Sequence, residues 1–232
     1  MPKHIGIVAC SGEGAALCYR TICAEGPALM GTHAHPEISM HTHSLAEYMV
    51  PTLRDDWRGV AQLMLDSAHK LKATGAEFLI CPDNTIHRAF EFVAPESPLP
   101  WLHIVEEVAS EAKRRGFKRL AVTGTQYTMR GPVYPQKLRE VGIDYRVPNA
   151  AEIDEINRII FDELVNGIFK PEGVRYFQQV IERMKNDGCD AVVLGCTEIP
   201  LIISDENSAL PTLDSTRLLA RAALRFALDN EV

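Results

Sequence analysis

The 232-residue sequence has no basic surplus: 24 Lys and Arg stand against 31 Asp and Glu, a net charge of −7. A general nucleic-acid binder carries a basic excess or patch, so that class is set aside. No apolar run approaches the roughly 20 residues that a membrane helix needs. The opening Met1-Pro2-Lys3-His4-Ile5 leads straight into a strand-like run, without the apolar core and cleavage site of a signal peptide. The expectation is a cytoplasmic protein with no nucleic-acid or membrane partner. No Cys-x-x-Cys pair occurs among the six cysteines at 10, 18, 23, 81, 189 and 196. In a reducing compartment they are unbridged thiols, mostly small buried hydrophobes. Gly12 and Gly14 start a dinucleotide-type loop, but Leu17 breaks the G-x-G-x-x-G pattern. No phosphate loop or Schiff-base context is visible, so no cofactor is expected. Low-complexity segments and long linkers are missing too.

What is present is an ordinary globular composition, 46% apolar and 24% charged, arranged as alternating strand and helix signals. Lys3 to Ala9 reads as a strand, followed by a helix to about Cys23 and a loop over Gly26 to Gly31. Glu37 to His41 reads as a second strand. Trp57 to Lys72 has apolar residues at helical spacing, and Glu77 to Ile80 is a strand. Lys118 to Thr125 then repeats Lys3 to Cys10 at an offset of 115 residues. Glu77-Phe78-Leu79-Ile80 matches Asp190 to Val193 at an offset of 113. Two nearly equal offsets in register indicate an internal duplication. The expected fold is α/β: two pseudo-symmetric lobes, each a parallel-type sheet flanked by helices, with the active site in the cleft between them. The expected lobes are 1–115 completed by 211–232, and 116–210.

The stretch Ala191-Val192-Val193-Leu194-Gly195-Cys196-Thr197-Glu198 reads as a buried strand delivering a thiol to its tip. The second offset aligns Asp83 with Cys196 and Asn84 with Thr197. An acid and a thiol therefore occupy equivalent strand ends. In open α/β sheets, ligands bind outside the carboxyl ends of the strands. Those ends carry Cys10-Ser11, Asp83-Asn84-Thr85, Thr123-Gly124-Thr125 and Cys196-Thr197. Small hydroxyl and amide groups near helix N-termini suit a bound carboxylate. Asp83 and Cys196 suit proton removal from one face of a carbon beside that carboxylate and return to the other.

His33-x-His35 and His41-x-His43 form the densest histidine cluster. Residues i and i+2 of a strand share a face, so such pairs can bind metal. No cysteine or clustered carboxylate completes a ligand set in the sequence, and no metal site is expected. His41 or His43 is expected to rim a substrate pocket.

Across nearly its whole length the chain resembles the aspartate/glutamate racemase family of cofactor-independent isomerases. The shared marks are Asp83-Asn84-Thr85-x-His87, Thr123-Gly124-Thr125-x-x-Thr128-Met129, Gly195-Cys196-Thr197-Glu198, Lys170 and Asp214-Ser215-Thr216. The resemblance implies two pseudo-symmetric lobes, a homodimer and paired acid/base residues. The family's second catalytic cysteine carries over onto Cys196. Its first falls on Asp83, since this chain has Asp-Asn-Thr where the family has Cys-Asn-Thr. Asn84, Thr85, Thr125, Thr128 and Thr197 are then expected to hold the substrate's α-carboxylate, with Ser11 and Lys170 completing the pocket. Glu198 caps or orients Cys196, or is simply solvated. The expected activity is racemisation or epimerisation of an aspartate- or glutamate-like amino acid. The alternatives are a one-cysteine lyase of the arylmalonate-decarboxylase type and a non-catalytic amino-acid or dicarboxylate binding protein.

Overall fold

The computed structural model describes residues 1–229. Strands β1 (Ile5–Ala9), β2 (Ile38–Thr42), β3 (Phe78–Ile80) and β4 (Trp101–Leu102) form one sheet in the order β2-β1-β3-β4. Strands β5 (Arg119–Gly124), β6 (Asp144–Arg146), β7 (Ala191–Gly195) and β8 (Thr212–Asp214) form a second, in the order β6-β5-β7-β8. Every pairing is parallel. The two sheets are thus the same topology written twice. The register agrees with the sequence offsets: Ile5 pairs with Phe78 in the first sheet, and Leu120 with Ala191 in the second.

Helices flank both sheets: α1 (Gly12–Met30), α2 (Leu45–Leu53), α3 (Trp57–Ala73), α4 (Phe90–Val93), α5 (Ile104–Arg114), α6 (Gln126–Met129), α7 (Val133–Glu140), α8 (Ala150–Asp162), α9 (Pro171–Asn186) and α10 (Ser215–Leu228). With a helix on each face, a central strand has no solvated side and reads as a continuous apolar run. All residues of β1, β3 and β7 are buried accordingly. The edge strands β2 and β6 are partly exposed and mixed in composition.

The helices begin where side chains can take up unpaired backbone N–H groups. Asp56 accepts from the Gly59 amide at the start of α3. Ser44 with Glu47, and Asn149 with Glu152, form reciprocal capping boxes at α2 and α8. In α3 the residues Val60, Met64, Ala68 and Leu71 are buried and recur at helical spacing. Together with Val8, Leu79 and Tyr48 they build one core. Ile153, Ile156 and Ile160 of α8, with Phe177 and Ile181 of α9, build the other around Val192 and Leu194.

The chain divides into two compact units, residues 1–107 with the chain from Thr216 onward, and residues 108–215. Of the C-terminal segment expected to complete the first lobe, 230–232 lie outside the described residues.

One local expectation is corrected. α1 does not stop before Gly26 but runs through Gly26-Pro27 to Met30. Gly26 serves close packing: a Cβ there would lie 2.8 Å from the Ala34 carbonyl oxygen. The stop is Gly31, at φ 97°, whose N–H donates to the Pro27 carbonyl. The turns and bends over 94–100 lead into β4, whose Leu79↔Trp101 register extends the first sheet by one parallel strand. No helix among the described residues is long and apolar enough to cross a membrane.

Candidate active site

In the second unit the tips of β5 and β7 abut. Gly124 and Gly195 are register partners, and a Cβ on Gly195 would come within 2.5 Å of the Thr123 carbonyl oxygen. Two glycines are needed for the backbones to approach this closely, and the residues that follow them are Thr125 and Cys196. Thr125 is extended and caps α6, its hydroxyl accepting from the Thr128 amide at 3.3 Å. The Thr125 and Thr128 hydroxyls are themselves 3.3 Å apart. Thr123 is committed elsewhere: its hydroxyl donates to the Val193 carbonyl at 2.7 Å, tying β5 to β7.

Cys196 is buried, and its thiol donates to Glu198 Oε2 at 2.9 Å. Thr197 Oγ1 donates to the same oxygen at 2.8 Å. Glu198 is only 3% exposed, so the solvated reading of this carboxylate is excluded and the orienting one is favoured. A buried carboxylate stays only where donors satisfy it, and here the two donors are its own neighbours in sequence.

In the first unit, Asp83 follows β3 at the position equivalent to Cys196. Each lies five residues beyond the β3 or β7 residue that pairs with Ile5 or Leu120. Asp83 is half-buried, and its Oδ1 accepts from the Ile86 amide at 3.0 Å. The carboxylate therefore starts the 3-10 turn Ile86–Ala89. Asn84 is buried and Thr85 half-buried in the same turn. Ser11 caps α1 from the tip of β1, accepting from the Gly14 amide at 3.2 Å.

His87 fastens this turn from below. Its Nδ1 lies 2.5 Å from the Asp83 carbonyl oxygen, and its Nε2 accepts from the Ile104 amide at 3.4 Å. A carbonyl can only accept, so the proton sits on Nδ1 and the ring is neutral. Burial, reinforced by His103, pushes its pKa well below the usual histidine range. Cys81 is fully buried, and desolvation raises its thiol well above the ordinary range. It is a structural thiol. Tyr48 of α2 is buried nearby; burial raises its phenol, and the charges of Cys81, Cys10 and Asp83 add to the rise. Nothing in the local sequence marked this tyrosine.

Lys170 lies immediately before α9 with its side chain more than half exposed, and pairs with Glu163 Oε1 at 3.4 Å. Glu163 is buried and also takes Arg158 at 2.9 Å. The structure thus gathers Thr125 with Thr128, Cys196 with Thr197 and Glu198, and Asp83 with Asn84 and Thr85. It gives Lys170 a carboxylate partner on the neighbouring helix. Among the described residues, one group has metal-ligand character: His41, His43 and Asp66. His33 and His35 do not join it.

Comparison with known proteins agrees with the fold. The broad specificity amino-acid racemase RacX of Bacillus subtilis is 26% identical over 164 residues, 69% of each chain. The glutamate racemase of Aquifex aeolicus is 29% identical over 170 residues, 69% of this chain and 63% of that protein. The structure of an aspartate racemase homologue from Pyrococcus horikoshii superposes with a TM-score of 0.85 at 28% identity, covering 99% of this chain and all of that one. Racemases are isomerases. Residues 7–223 match the Asp/Glu/Hydantoin racemase family, two-lobed α/β enzymes to which this chain belongs.

Proposed function

We propose that the protein is a cofactor-independent amino-acid racemase or epimerase. It acts at the carbon alpha to the carboxylate of an aspartate- or glutamate-like substrate. Cys196 exchanges the proton on one face and Asp83 on the other. The observation that carries this reading is the Cys196 thiol, held at the tip of β7 by Glu198, with Asp83 at the matching tip of β3.

The chemistry follows from those groups. A base must take a weakly acidic Cα proton, and an acid must return one to the opposite side. Positioned acid/base groups contribute about 10²–10⁴-fold each to such steps. Thr125, Thr128, Thr197, Asn84 and Thr85 supply short hydrogen-bonding groups for the α-carboxylate, and Ser11 at the tip of β1 supplies another. Lys170 is the candidate for a second anionic group, because substrate can compete with Glu163 for its ammonium. The names of the relatives, an amino-acid racemase, a glutamate racemase and an aspartate racemase homologue, support the substrate class.

The test is α-hydrogen exchange. Each single enantiomer of aspartate, glutamate and a panel of neutral amino acids is incubated in deuterated water, and α-deuterium is read by mass spectrometry or NMR. Exchange with inversion is expected for at least one acidic amino acid. Absence of exchange with all of them would falsify the reading for those substrates. Release of CO₂ from malonates without amino-acid exchange would replace it with one-sided lyase chemistry.

A further inference from the structure

We propose that His41, His43 and Asp66 form a binding site for a divalent transition-metal ion of the zinc type. The ion would clasp the end of strand β2 and the residue just after it to helix α3. This inference is independent of the racemase chemistry.

Two elements bring the ligands together. His41 lies on β2 and His43 just beyond it, two residues apart and so on one side of the strand. Helix α3 lies against that side and contributes Asp66, 23 residues from His43 in sequence. One ligand atom from each of the three residues falls within 4.8 Å of the others. Ligand atoms around a tetrahedral ion with bonds of about 2.0–2.1 Å are roughly 3.4 Å apart, so a small closure assembles the set. The His43 Nε2 to Asp66 Oδ2 distance is 2.8 Å, so this pair opens slightly as the others close.

The groups behind the ligands are those a metal site uses. His41 Nδ1 lies 2.9 Å from Ser67 Oγ. Ser67 in turn donates to the Leu63 carbonyl at 3.1 Å, which leaves its oxygen to accept from Nδ1–H. That fixes the tautomer in which His41 Nε2 carries a lone pair. His43 Nδ1 faces Glu47 Oε2 at 3.4 Å, and Glu47 is itself fixed by the capping box with Ser44. A carboxylate or hydroxyl behind each coordinating imidazole orients it and raises its basicity. The two rings meet edge-on with centroids 4.9 Å apart, and His43 packs edge-on against buried Tyr48. Both rings are thus held in place without the ion. Two imidazoles and one carboxylate favour zinc, cobalt or nickel over magnesium or calcium, which take oxygen ligands. One group opposes the site: Lys70 Nζ sits 2.6 Å from Asp66 Oδ2. The metal must displace this ammonium, so Lys70 weakens binding.

Tag-free protein, stripped with chelator, is titrated with Zn²⁺ by calorimetry and with Co²⁺ by visible absorption. One equivalent is expected to bind, with a tetrahedral Co²⁺ spectrum. His41→Gln and His43→Gln each remove a ligand and are expected to weaken binding about 100-fold or more. Ser67→Ala, which loses only the support behind His41, is expected to cost about 10–100-fold. Lys70→Met is expected to tighten binding, and because it keeps all three ligands it also covers the case in which a histidine variant fails to fold. The proposal is overturned if wild type and Lys70→Met both bind no stoichiometric metal. Stoichiometric binding that survives both histidine substitutions in folded protein overturns it equally.

Discussion

The Cys196 thiol donates to Glu198 Oε2 at 2.9 Å, so this carboxylate is the acceptor for the thiol proton. An anion beside a thiol disfavours the thiolate, and a hydrogen bond accepted from S–H stabilises the protonated form. Glu198→Gln removes the charge and keeps the size. The apparent pKa of Cys196 is then expected to fall. The check is the pH dependence of alkylation at the Cys196 peptide, followed by mass spectrometry. A pKa unchanged or raised in the variant would show that Glu198 does not hold the proton on sulfur.

The two proposed acid/base groups separate by substitution. Cys196→Ser leaves the size nearly unchanged and is expected to lower α-deuterium exchange by about 10²–10⁴-fold. Asp83→Asn is the sharper probe. Asn accepts from a turn amide as well as Asp does, so the bond to the Ile86 amide is kept while the titrating group is lost. Exchange starting from one enantiomer is expected to fall much more than exchange starting from the other. Equal rates from both enantiomers, matching wild type, would remove Asp83 from the reaction.

The duplication was legible because it is written in local pattern. Apolar strands recur at offsets of 115 and 113, and the sheets pair Ile5 with Phe78 and Leu120 with Ala191 at those spacings. Cys196 was legible from Gly195-Cys196-Thr197-Glu198, and Asp83 from its alignment with it. What was hidden depends on which helix lies on which strand. Asp66 reads as a surface residue of α3 until α3 is laid against β2, where it meets His43. Glu198 reads equally as a cap or a solvated carboxylate until its burial is known. Lys170 showed no partner in sequence because Glu163 ends the preceding helix and is brought back by the turn between α8 and α9. Gly26-Pro27 misled because a glycine needed for close packing carries the same letters as one that ends a helix.

The paired glycines at the second unit's strand tips predict a steric cost. A Cβ on Gly195 would stand 2.5 Å from the Thr123 carbonyl oxygen, a backbone atom that cannot move aside without breaking the β5–β7 ladder. Gly195→Ala is expected to cost about 1–3 kcal/mol, the range for forcing volume into a packed site. It is also expected to displace Cys196, lowering activity beyond the loss of folded protein. Gly12→Ala is the control, since a methyl there would meet no neighbouring atom within 4 Å. Urea denaturation of both variants measures the difference. Equal stability of the two would mean that the strand tips accommodate the extra methyl.

His87 makes the stability of the first unit sensitive to acid. In the folded protein its ring is neutral, sealed between the Asp83 carbonyl and the Ile104 amide, and burial depresses its pKa well below the ordinary value. In the unfolded chain it titrates at roughly 6.5. Below that pH the unfolded state binds a proton that the native state does not, so stability falls as the solution is acidified. The slope from this one group approaches about 1.4 kcal/mol per pH unit. Above pH 7 both states are neutral and the group contributes no slope. His87→Gln is expected to be less stable than wild type at pH 7, by about 1–3 kcal/mol for the buried backbone partners it leaves. Between pH 6.5 and 5, however, the variant is expected to lose stability less steeply than wild type. Urea denaturation across that interval gives both slopes, and parallel curves would show that His87 is protonated in the folded protein.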